Sequence, residues 1–377
     1  MKPQTAISAL FALDGALLGG WMSHLPDAQR NLHLTAGELG LTLLASSVGA
    51  LSMMPFTGTL IHRFGSRRLS VALAVLVLCI VPLLILAPSR LLLALTLFCM
   101  GATNGTLDVA MNAHSMAVQA RMDRPILSAV HGWFCIGGFL AAGGTALANE
   151  FGVAPSLHLI LASVLLAGVL VALFPGLLPD GADQGEEGAR FTLPKGRLLA
   201  LGLLTMLSFF AEGTLWDWSA VYFRSELRTT AALAALGFGV GAGSMAVGRM
   251  FGDSFVHRLG AVQALRTSGL LTAAGLFFAV ALNAPVGTFL GFAAAGLGLA
   301  NTVPILFSAA ARYPGLSSGA GLAAVTSLGY GAFLGGPPLI GHVADLTSLR
   351  ASFTLVATLT VLIALLGPWA LGEATKD

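Results

Sequence analysis

The sequence predicts an all-α integral membrane protein with twelve transmembrane helices, arranged as two pseudo-symmetric six-helix bundles. Of the 377 residues, 56% are hydrophobic and only 10% are charged, whereas a soluble globular chain carries about 25% charged residues. The apolar residues fall in runs of about 20, the length that crosses a hydrocarbon core of ~30 Å. The two halves also repeat in sequence. We therefore expect no soluble domain between the spans.

Twelve apolar runs define the predicted spans. The first run contains a single Lys2, has Asp14 at its centre and lacks a small-residue cleavage site before Pro26. It is therefore interpreted as the first span and not as a signal peptide. The predicted spans are 5–25, 38–61, 69–88, 91–117, 125–148, 156–178, 197–221, 230–252, 260–282, 286–310, 318–342 and 349–371.

One long hydrophilic stretch divides the chain near its midpoint. In residues 179–196, Gly, Asp and Glu replace the apolar residues, as is typical of a flexible linker. The predicted organisation is an N-terminal six-helix bundle at 1–178, a cytoplasmic linker at 179–196 and a C-terminal six-helix bundle at 197–377.

The distribution of basic residues predicts the orientation in the membrane. With the N-terminus in the cytoplasm, 14 of the 19 Lys and Arg residues fall on the inner side. Cytoplasmic loops carry this excess in most membrane proteins. We therefore expect a multi-pass protein of the inner (cytoplasmic) membrane with both termini in the cytoplasm. The five basic residues left outside are Arg30, Arg90, Arg224, Arg228 and Arg350.

Several functional classes receive no support from the sequence. The basic residues are spread over short loops and form no patch for nucleic acid. Cys79, Cys99 and Cys135 lie within apolar runs without metal-ligand spacing. A membrane enzyme would need a nucleophile with a base, or a metal site, yet the outer histidines His24, His33 and His158 have no paired carboxylate spacing. We expect no cofactor and no metal, and a monomer whose partners are lipid, protons and a small solute.

The two halves carry an internal repeat. Phe56–Gly65 and Phe251–Gly260 lie 195 residues apart, and both end in His-Arg-apolar-Gly. At an offset of 198, Asp14-Gly15 aligns with Glu212-Gly213, and three glycines of span five align with three of span eleven. Six-span repeats are typical of transporters whose halves rock about a central site.

Span four carries a polar stripe on an otherwise apolar helix. At 100° per residue, its members fall within about 80° of helical arc. A carboxylate at mid-membrane depth costs at least ~2.5 kcal/mol on insertion scales, so Asp108 should face a cavity or a partner. His131 in span five lies at a similar depth and could approach Asp108. A stripe of hydrogen bonds with only a structural role is the alternative. The stripe comprises Gly101, Asn104, Asp108, Asn112, Ser115 and Gln119.

Span seven carries a second acidic face. Glu212, Trp216 and Ser219 share one side of the predicted helix, whereas Asp217 is turned about 140° away from Glu212. Trp21 shares a face with Asp14 in span one and could provide an apolar stacking surface. Trp218 and Tyr222, near the outer end of span seven, are typical of an interfacial aromatic belt.

The turn after span two contains the pattern Gly58-x-x-x-His62-Arg63-Phe64-Gly65-x-Arg67-Arg68. This pattern resembles the loop signature of the major facilitator superfamily, which usually carries Asp where this chain has His62. The resemblance implies a cytoplasmic gate formed by His62, Arg63 and Gly65, with Asp253 and Arg258 contributed by the repeat copy. The alternative is a basic membrane anchor followed by a tight turn at Gly65.

Three segments extend the resemblance over essentially the whole chain. GTLDVAMNAH in span four, ILSAVHGWFCIGG in span five and EGTLWDWSAVY in span seven resemble the MosC/YbjJ-like branch of this superfamily, near the fucose permeases. The resemblance implies the major facilitator fold and proton-linked movement of a small polyhydroxylated solute. MosC-type proteins are associated with rhizopine, an amino-inositol. Fucose permeases carry an acid-x-x-x-Asn pattern tied to proton coupling and sugar binding, which Asp108 and Asn112 match.

The predicted function is secondary active transport of a neutral or cationic, sugar-like or inositol-like solute by alternating access, with proton symport. Four intramembrane acids without a nearby Lys or Arg would repel anions. The candidate proton-coupling residues are Asp108, Glu212, Asp14 and His131. The candidate substrate-binding residues are Asn104, Asn112, Trp21, Trp216, Ser219 and Asn301.

Two other functions remain open at this stage. Proton-driven efflux of a cationic drug or metabolite fits the same acidic residues, although span five lacks the Gly-Pro pair typical of antiporters. That pair occurs at Gly336-Pro337 in span eleven instead. A receptor that binds its solute without translocating it is the other alternative.

Overall fold

The computed structural model describes residues 1–122, 126–179 and 194–372, and this part of the chain contains helices and no strands. The first half comprises α1 (Pro3–Ser23), α2 (Leu25–Asn31), α3 (Ala36–Phe64), α4 (Ser66–Leu86), α5 (Arg90–Gln119), α6 (Leu127–Glu150) and α7 (Pro155–Leu173), followed by a short 3-10 helix. The second half comprises α8 (Arg197–Ser225), α9 (Ala231–Met250), α10 (Gly252–Leu282), α11 (Pro285–Leu299), α12 (Thr302–Ala311), α13 (Ser318–Gly329), α14 (Gly331–Leu346) and α15 (Leu349–Leu371).

Within the described residues, eleven helical segments are long and apolar enough to cross a membrane, where the sequence predicts twelve. The difference lies in the span predicted at 318–342. This stretch forms two shorter helices, α13 and α14, that meet at Tyr330. Gly329 and Gly331 flank the break, and both weaken helix continuity because glycine has high conformational freedom. The predicted all-α membrane fold is confirmed.

The chain divides into two compact units. The first comprises Met1–Glu186 and Thr230–Gly239, and the second comprises Glu187–Thr229 and Val240–Asp377. Most of the predicted linker, residues 180–193, lies outside the described residues. The division at 1–178, 179–196 and 197–377 therefore stays a prediction.

Close helix contacts through glycine hold the first unit together. α1 packs against α6, and α3 packs against α5. Gly15 of α1 lies against the backbone of Phe134, and Gly137 of α6 lies against the backbone of Ala12. Small residues let transmembrane backbones approach closely where lipid supplies no hydrophobic drive for association. The α1–α6 contact places Asp14 beside the polar residues of the neighbouring helices.

We expect Gly137→Ala to lower the thermal unfolding midpoint of the purified protein. A Cβ at Gly137 would collide with the carbonyl oxygen of Ala12, so α1 and α6 would have to move apart at a cost of about 1–3 kcal/mol. Gly143→Ala, on the same helix, is the control because a Cβ there meets no atom within 4 Å. Equal midpoints for the two variants would contradict this account of the contact.

The second unit repeats a turn of the first. Gly65, between α3 and α4, has φ 79° and ψ 149°, and Gly260, 195 residues later, has φ 74° and ψ 155°. These left-handed values favour glycine, because other residues meet a steric penalty there. α10 therefore consists of two helical segments joined at Gly260. The matching backbone supports the repeat inferred from sequence.

α8 contacts α11 to α15 and forms the centre of the second unit. Trp218 and Tyr222 are both 0% exposed, and the Tyr222 hydroxyl donates to Asn283 Oδ1 at 3.0 Å. The Tyr222 ring packs against Phe292 and Phe353 at centroid distances of 5.9 and 4.9 Å. The interpretation of Trp218 and Tyr222 as interfacial belt residues is therefore wrong, because both side chains are buried in the core of this unit.

Candidate transport site

An acid, an amide and an imidazole from two helices form a hydrogen-bonded series in the first unit. Asn112 Nδ2 donates to Asp108 Oδ1 at 3.1 Å and to the backbone oxygen of Asp108 at 2.9 Å. On the other side of the amide, His131 Nε2 lies 3.1 Å from Asn112 Oδ1. The sequence-predicted approach of His131 to Asp108 therefore occurs through Asn112. We refer to Asp108, Asn112 and His131 as the polar series.

The direction of these bonds determines the histidine tautomer. Because the Asn112 amide nitrogen donates to Asp108, its oxygen is the acceptor, and His131 Nε2 must carry a proton. The His131 ring packs edge-on against Phe11 of α1 at a centroid distance of 5.1 Å. Phe11 is fully buried, so it limits the orientations of the imidazole.

Asp14 adds a second carboxylate beside the polar series. Its side chain is 2% exposed and lies within electrostatic range of Asp108. Its Oδ1 atom has no hydrogen-bond partner among the described residues. Two ionised carboxylates in such surroundings would repel each other.

Two further polar atoms, on the helices that carry Asp14 and Asp108, are buried without a partner in the described part of the chain. Trp21 is 0% exposed, and its indole Nε1 donor is unsatisfied; on Asn104, the Oδ1 acceptor is unsatisfied. Most buried polar groups in native proteins are hydrogen-bonded, so unsatisfied ones call for a specific explanation. A solute with both donor and acceptor groups could satisfy these atoms.

The ends of the polar stripe in span four have structural roles. A Cβ at Gly101 would collide with the Ser46 backbone on α3, and Ser115 Oγ donates to the backbone oxygen of Met111 at 2.8 Å. Gln119 Oε1 accepts from the backbone amide of Ile126 at 2.8 Å. The stripe therefore has structural residues at its ends. Its middle residues, Asn104, Asp108 and Asn112, are available for function.

In the second unit, Glu212 forms an ion pair that the sequence analysis missed. Arg249 donates to Glu212 Oε1 at 2.8 Å, and the two side chains are only 12% and 19% exposed, respectively. The expectation that no Lys or Arg lies near the intramembrane acids is therefore wrong. Arg249 lies at the end of α9, where the sequence analysis assigned it to the cytoplasmic surface.

The other substrate-binding candidates of this unit differ in their burial and in their contacts. Ser219 is 1% exposed, and its Oγ is unsatisfied among the described residues, whereas Trp216 is half-buried. Asn301 lies at the break between α11 and α12, where its Nδ2 donates to the backbone oxygen of Gly248 at 3.3 Å. These contacts favour a structural role for Asn301.

The candidate gate residues lie at helix ends. His62, Arg63, Asp253 and Arg258 are exposed, and the Arg63 guanidinium lies 5.3 Å from the centroid of the Phe64 ring. No contact described here tests a gating role for them.

Residues next to the candidate gate anchor the turn at Gly65. Ser66 Oγ lies 2.9 Å from His114 Nδ1, and the backbone amide of Leu178 donates to His114 Nε2 at 3.1 Å. Arg67 donates to the backbone oxygen of Phe174 at 2.9 Å and stacks on the Phe174 ring. The turn is thereby fixed to α5 and to the chain after α7. Sequence periodicity carries no signal for such long-range bonds.

A second buried polar cluster lies at the junction of α1 and α2. His24, which is 0% exposed, bonds Asp27 Oδ2 through Nδ1 at 2.8 Å and His158 Nδ1 through Nε2 at 3.0 Å. Arg30 pairs with the other oxygen of Asp27 at 2.6 Å. The expectation that neither His24 nor His158 has a paired carboxylate is wrong for His24, which bonds Asp27. The three-residue spacing of His24 and Asp27 on a helical turn was the available signal.

Comparison with known proteins decides the family. The model of the Major Facilitator Superfamily matches residues 5–335. The chain belongs to the major facilitator superfamily. An uncharacterized MFS-type transporter of Yersinia pestis is 34% identical over 365 residues, which cover 97% of this chain and 94% of that protein.

Other relatives give the same assignment. The membrane protein MosC of Rhizobium meliloti is 33% identical over 364 residues, covering 96% of this chain and 88% of MosC. The crystal structure of a variant of the nucleoside transporter NupG superimposes with a TM-score of 0.74, covering 98% of this chain and 100% of that one at 15% identity. This structural likeness shows the fold. These matches confirm the predicted family, which includes MosC. They also confirm the prediction of a transporter and not an enzyme.

Proposed function

We propose that this transporter takes up a small neutral or cationic polyhydroxylated solute by proton symport with alternating access. The observation that carries the proposal is the polar series Asp108–Asn112–His131 with Asp14 beside it. Among the described residues, neither carboxylate forms an ion pair with Lys or Arg. Intramembrane acids without a fixed counter-ion are typical of proton relays in transporters.

The contrast between the two units supports Asp108 and Asp14 as the proton carriers. Glu212 has Arg249 as a fixed counter-ion at 2.8 Å. The repeat aligns Asp14 with Glu212, but the position aligned with Arg249 holds Met54. The first unit therefore has the acid but not the cation at these aligned positions. A carboxyl group that must gain and lose a proton requires the absence of a fixed counter-ion.

The unsatisfied atoms support a solute that both donates and accepts hydrogen bonds. Asn104 Oδ1 and Asp14 Oδ1 would accept from hydroxyl or ammonium groups, and Trp21 Nε1 would donate to a hydroxyl oxygen. A carboxylate at the site disfavours anionic solutes by like-charge repulsion. Sugars, inositols and amino-inositols have the required groups.

Flux measurements with the full chain in proteoliposomes test this proposal. With an acidic exterior, we expect accumulation of labelled myo-inositol or scyllo-inosamine above its external concentration, and loss of that accumulation with a protonophore. Binding without flux would instead favour the receptor, and extrusion driven by the same gradient would favour efflux. Either result contradicts uptake by symport.

We also propose that the protein is monomeric and lies in the inner membrane with both termini in the cytoplasm. The support is the excess of basic residues in the loops assigned to the inner side. A single cysteine introduced at Gly152, in the α6–α7 turn, should react with an impermeant maleimide added to intact cells. Labelling of a cysteine at Gly65 under those conditions, with Gly152 protected, would reverse the topology.

His62 should make the cytoplasmic gate sensitive to pH. An imidazole changes charge near neutral pH, whereas the Asp usual at this position stays ionised. His62 is exposed, so replacing it should leave folding intact. We expect His62→Asp to change the dependence of transport on cytoplasmic pH. An identical pH profile for wild type and variant would exclude a role for His62 in gating.

A further inference from the structure

The second unit contains two aromatic clusters that differ in exposure. The cluster around Tyr222, Phe292 and Phe353 is fully buried. The other consists of half-buried rings from three predicted spans: Phe209 of α8, Phe307 of α12, Tyr330 at the α13–α14 break and Phe333 of α14. We call this second group the open ring cluster.

Phe209 lies at the centre of the open ring cluster. Its centroid is 6.5 Å from that of Tyr330, with the two rings nearly parallel at 16°, and 5.2 Å from that of Phe333. Phe307 packs edge-on against Phe209 at 6.2 Å. Each ring retains exposed surface, so the cluster offers aromatic faces that no side chain covers completely.

The open ring cluster lies on a side of α8 that does not suit lipid. At 100° per residue, Phe209 is turned by about 20° from Trp216 and about 60° from Glu212. The Glu212–Arg249 ion pair would be costly against hydrocarbon, so this side of α8 faces protein or water. Phe209 is also close to the middle of α8, the depth at which secondary transporters bind their solutes.

Two prolines within α14 leave backbone carbonyls near the rings without their usual helical hydrogen bond. Pro337 and Pro338 have no amide hydrogen, so the carbonyls of Phe333 and Leu334 receive no hydrogen bond from four residues ahead in α14. Discontinuous transmembrane helices with free backbone groups mark binding sites in many transporters. Aromatic faces next to carbonyls that lack this helical bond suit a ring with apolar C–H faces and hydroxyl groups at its edge.

We propose that the open ring cluster is a solute subsite that selects cyclic polyols over open-chain polyols. A six-membered polyol ring can lay one C–H face on Phe209 or Phe333 and donate a hydroxyl to the Phe333 carbonyl. An open-chain polyol has the same hydroxyl groups but no flat face, and it loses more conformational freedom on binding. This inference rests on the proposed function, since it concerns the same polyhydroxylated solute.

Myo-inositol and D-mannitol form a suitable probe pair because they have equal numbers of carbons and hydroxyls. Binding of each to the purified full chain can be followed by thermal shift. We expect wild type to bind myo-inositol more tightly, and Phe209→Leu to weaken myo-inositol binding about threefold to tenfold with little effect on mannitol. Phe333→Leu should also weaken myo-inositol binding, and it provides the test if Phe209→Leu does not fold.

Two controls separate stacking from other effects. Phe278→Leu changes an equally large ring that is 44% exposed on α10, outside the cluster, and should keep the wild-type preference. Tyr330→Phe retains the aromatic ring and should also keep the wild-type preference for myo-inositol. Equal binding of the two probes by wild type, or an unchanged preference in folded Phe209→Leu and Phe333→Leu, would overturn the subsite. If wild type binds neither myo-inositol nor scyllo-inosamine, the solute class of the proposed function is wrong and the subsite falls with it.

Discussion

Asp108→Asn is expected to abolish accumulation of solute driven by a pH gradient while solute exchange continues. A difference of one pH unit is worth 1.36 kcal/mol per proton, so coupled wild type can sustain up to about tenfold accumulation. The variant should only equilibrate the solute, with a concentration ratio of unity. Asparagine keeps the shape of the side chain and can still bond Asn112, but it cannot gain or lose a proton.

Proteoliposomes separate these two activities in one preparation. Exchange is measured with labelled solute at equal concentrations on both sides, and accumulation is measured with an acidic exterior. Glu38→Gln is the control for removing an acid. Glu38 lies at the start of α3, where its carboxylate pairs with Arg90 at 3.1 Å and accepts from the backbone amide of Thr35 at 3.0 Å, a bond that glutamine can keep. Accumulation by Asp108→Asn at the wild-type level, together with its loss in a Glu212→Gln variant that still exchanges solute, would assign the proton to Glu212 instead.

Asp14 is the other candidate acid of the first unit, and it lies beside Asp108. The series from Asp108 through Asn112 to His131 leaves out Asp14, whose Oδ1 has no partner in the described chain. This difference in bonding is the reason to rank Asp108 first.

Much of the fold could be predicted from the sequence because its signals are local. Apolar runs predict spans, and the repeat predicts equivalent turns, as the matching backbones of Gly65 and Gly260 show. The middle of the stripe in span four was predicted by helical periodicity alone. The break at Tyr330 was missed because hydropathy averages across it, although two flanking glycines and two prolines mark this segment.

Pairings between distant helices could not be predicted in the same way. They depend on how far each helix is rotated and shifted along its axis, which periodicity within one helix does not specify. Arg249 was assigned to the cytoplasmic surface because it lies at a helix end, yet its long side chain reaches Glu212. The same reason explains why the bond between His24 and His158, 134 residues apart, was missed.

Removing one partner of the Glu212–Arg249 pair should destabilise the second unit, whereas removing both should not. Glu212→Gln leaves a guanidinium that cannot lose its proton among partly buried side chains, so we expect a loss on the order of 3 kcal/mol at every pH. Arg249→Gln removes the ion-pair partner of a partly buried carboxylate, so it should also destabilise the unit.

The double variant Glu212→Gln/Arg249→Gln isolates the ion pair. It leaves two neutral amides that can bond each other, so its thermal unfolding midpoint should return close to that of wild type. Scanning fluorimetry of the four proteins between pH 5 and 8 gives the coupling between the two positions. A double variant as unstable as Glu212→Gln would show that Glu212 acts through packing and not through its charge. The ion pair with Arg249 would then no longer be a reason to exclude Glu212 from proton coupling. The contrast between Glu212 and Asp14 would need another cause.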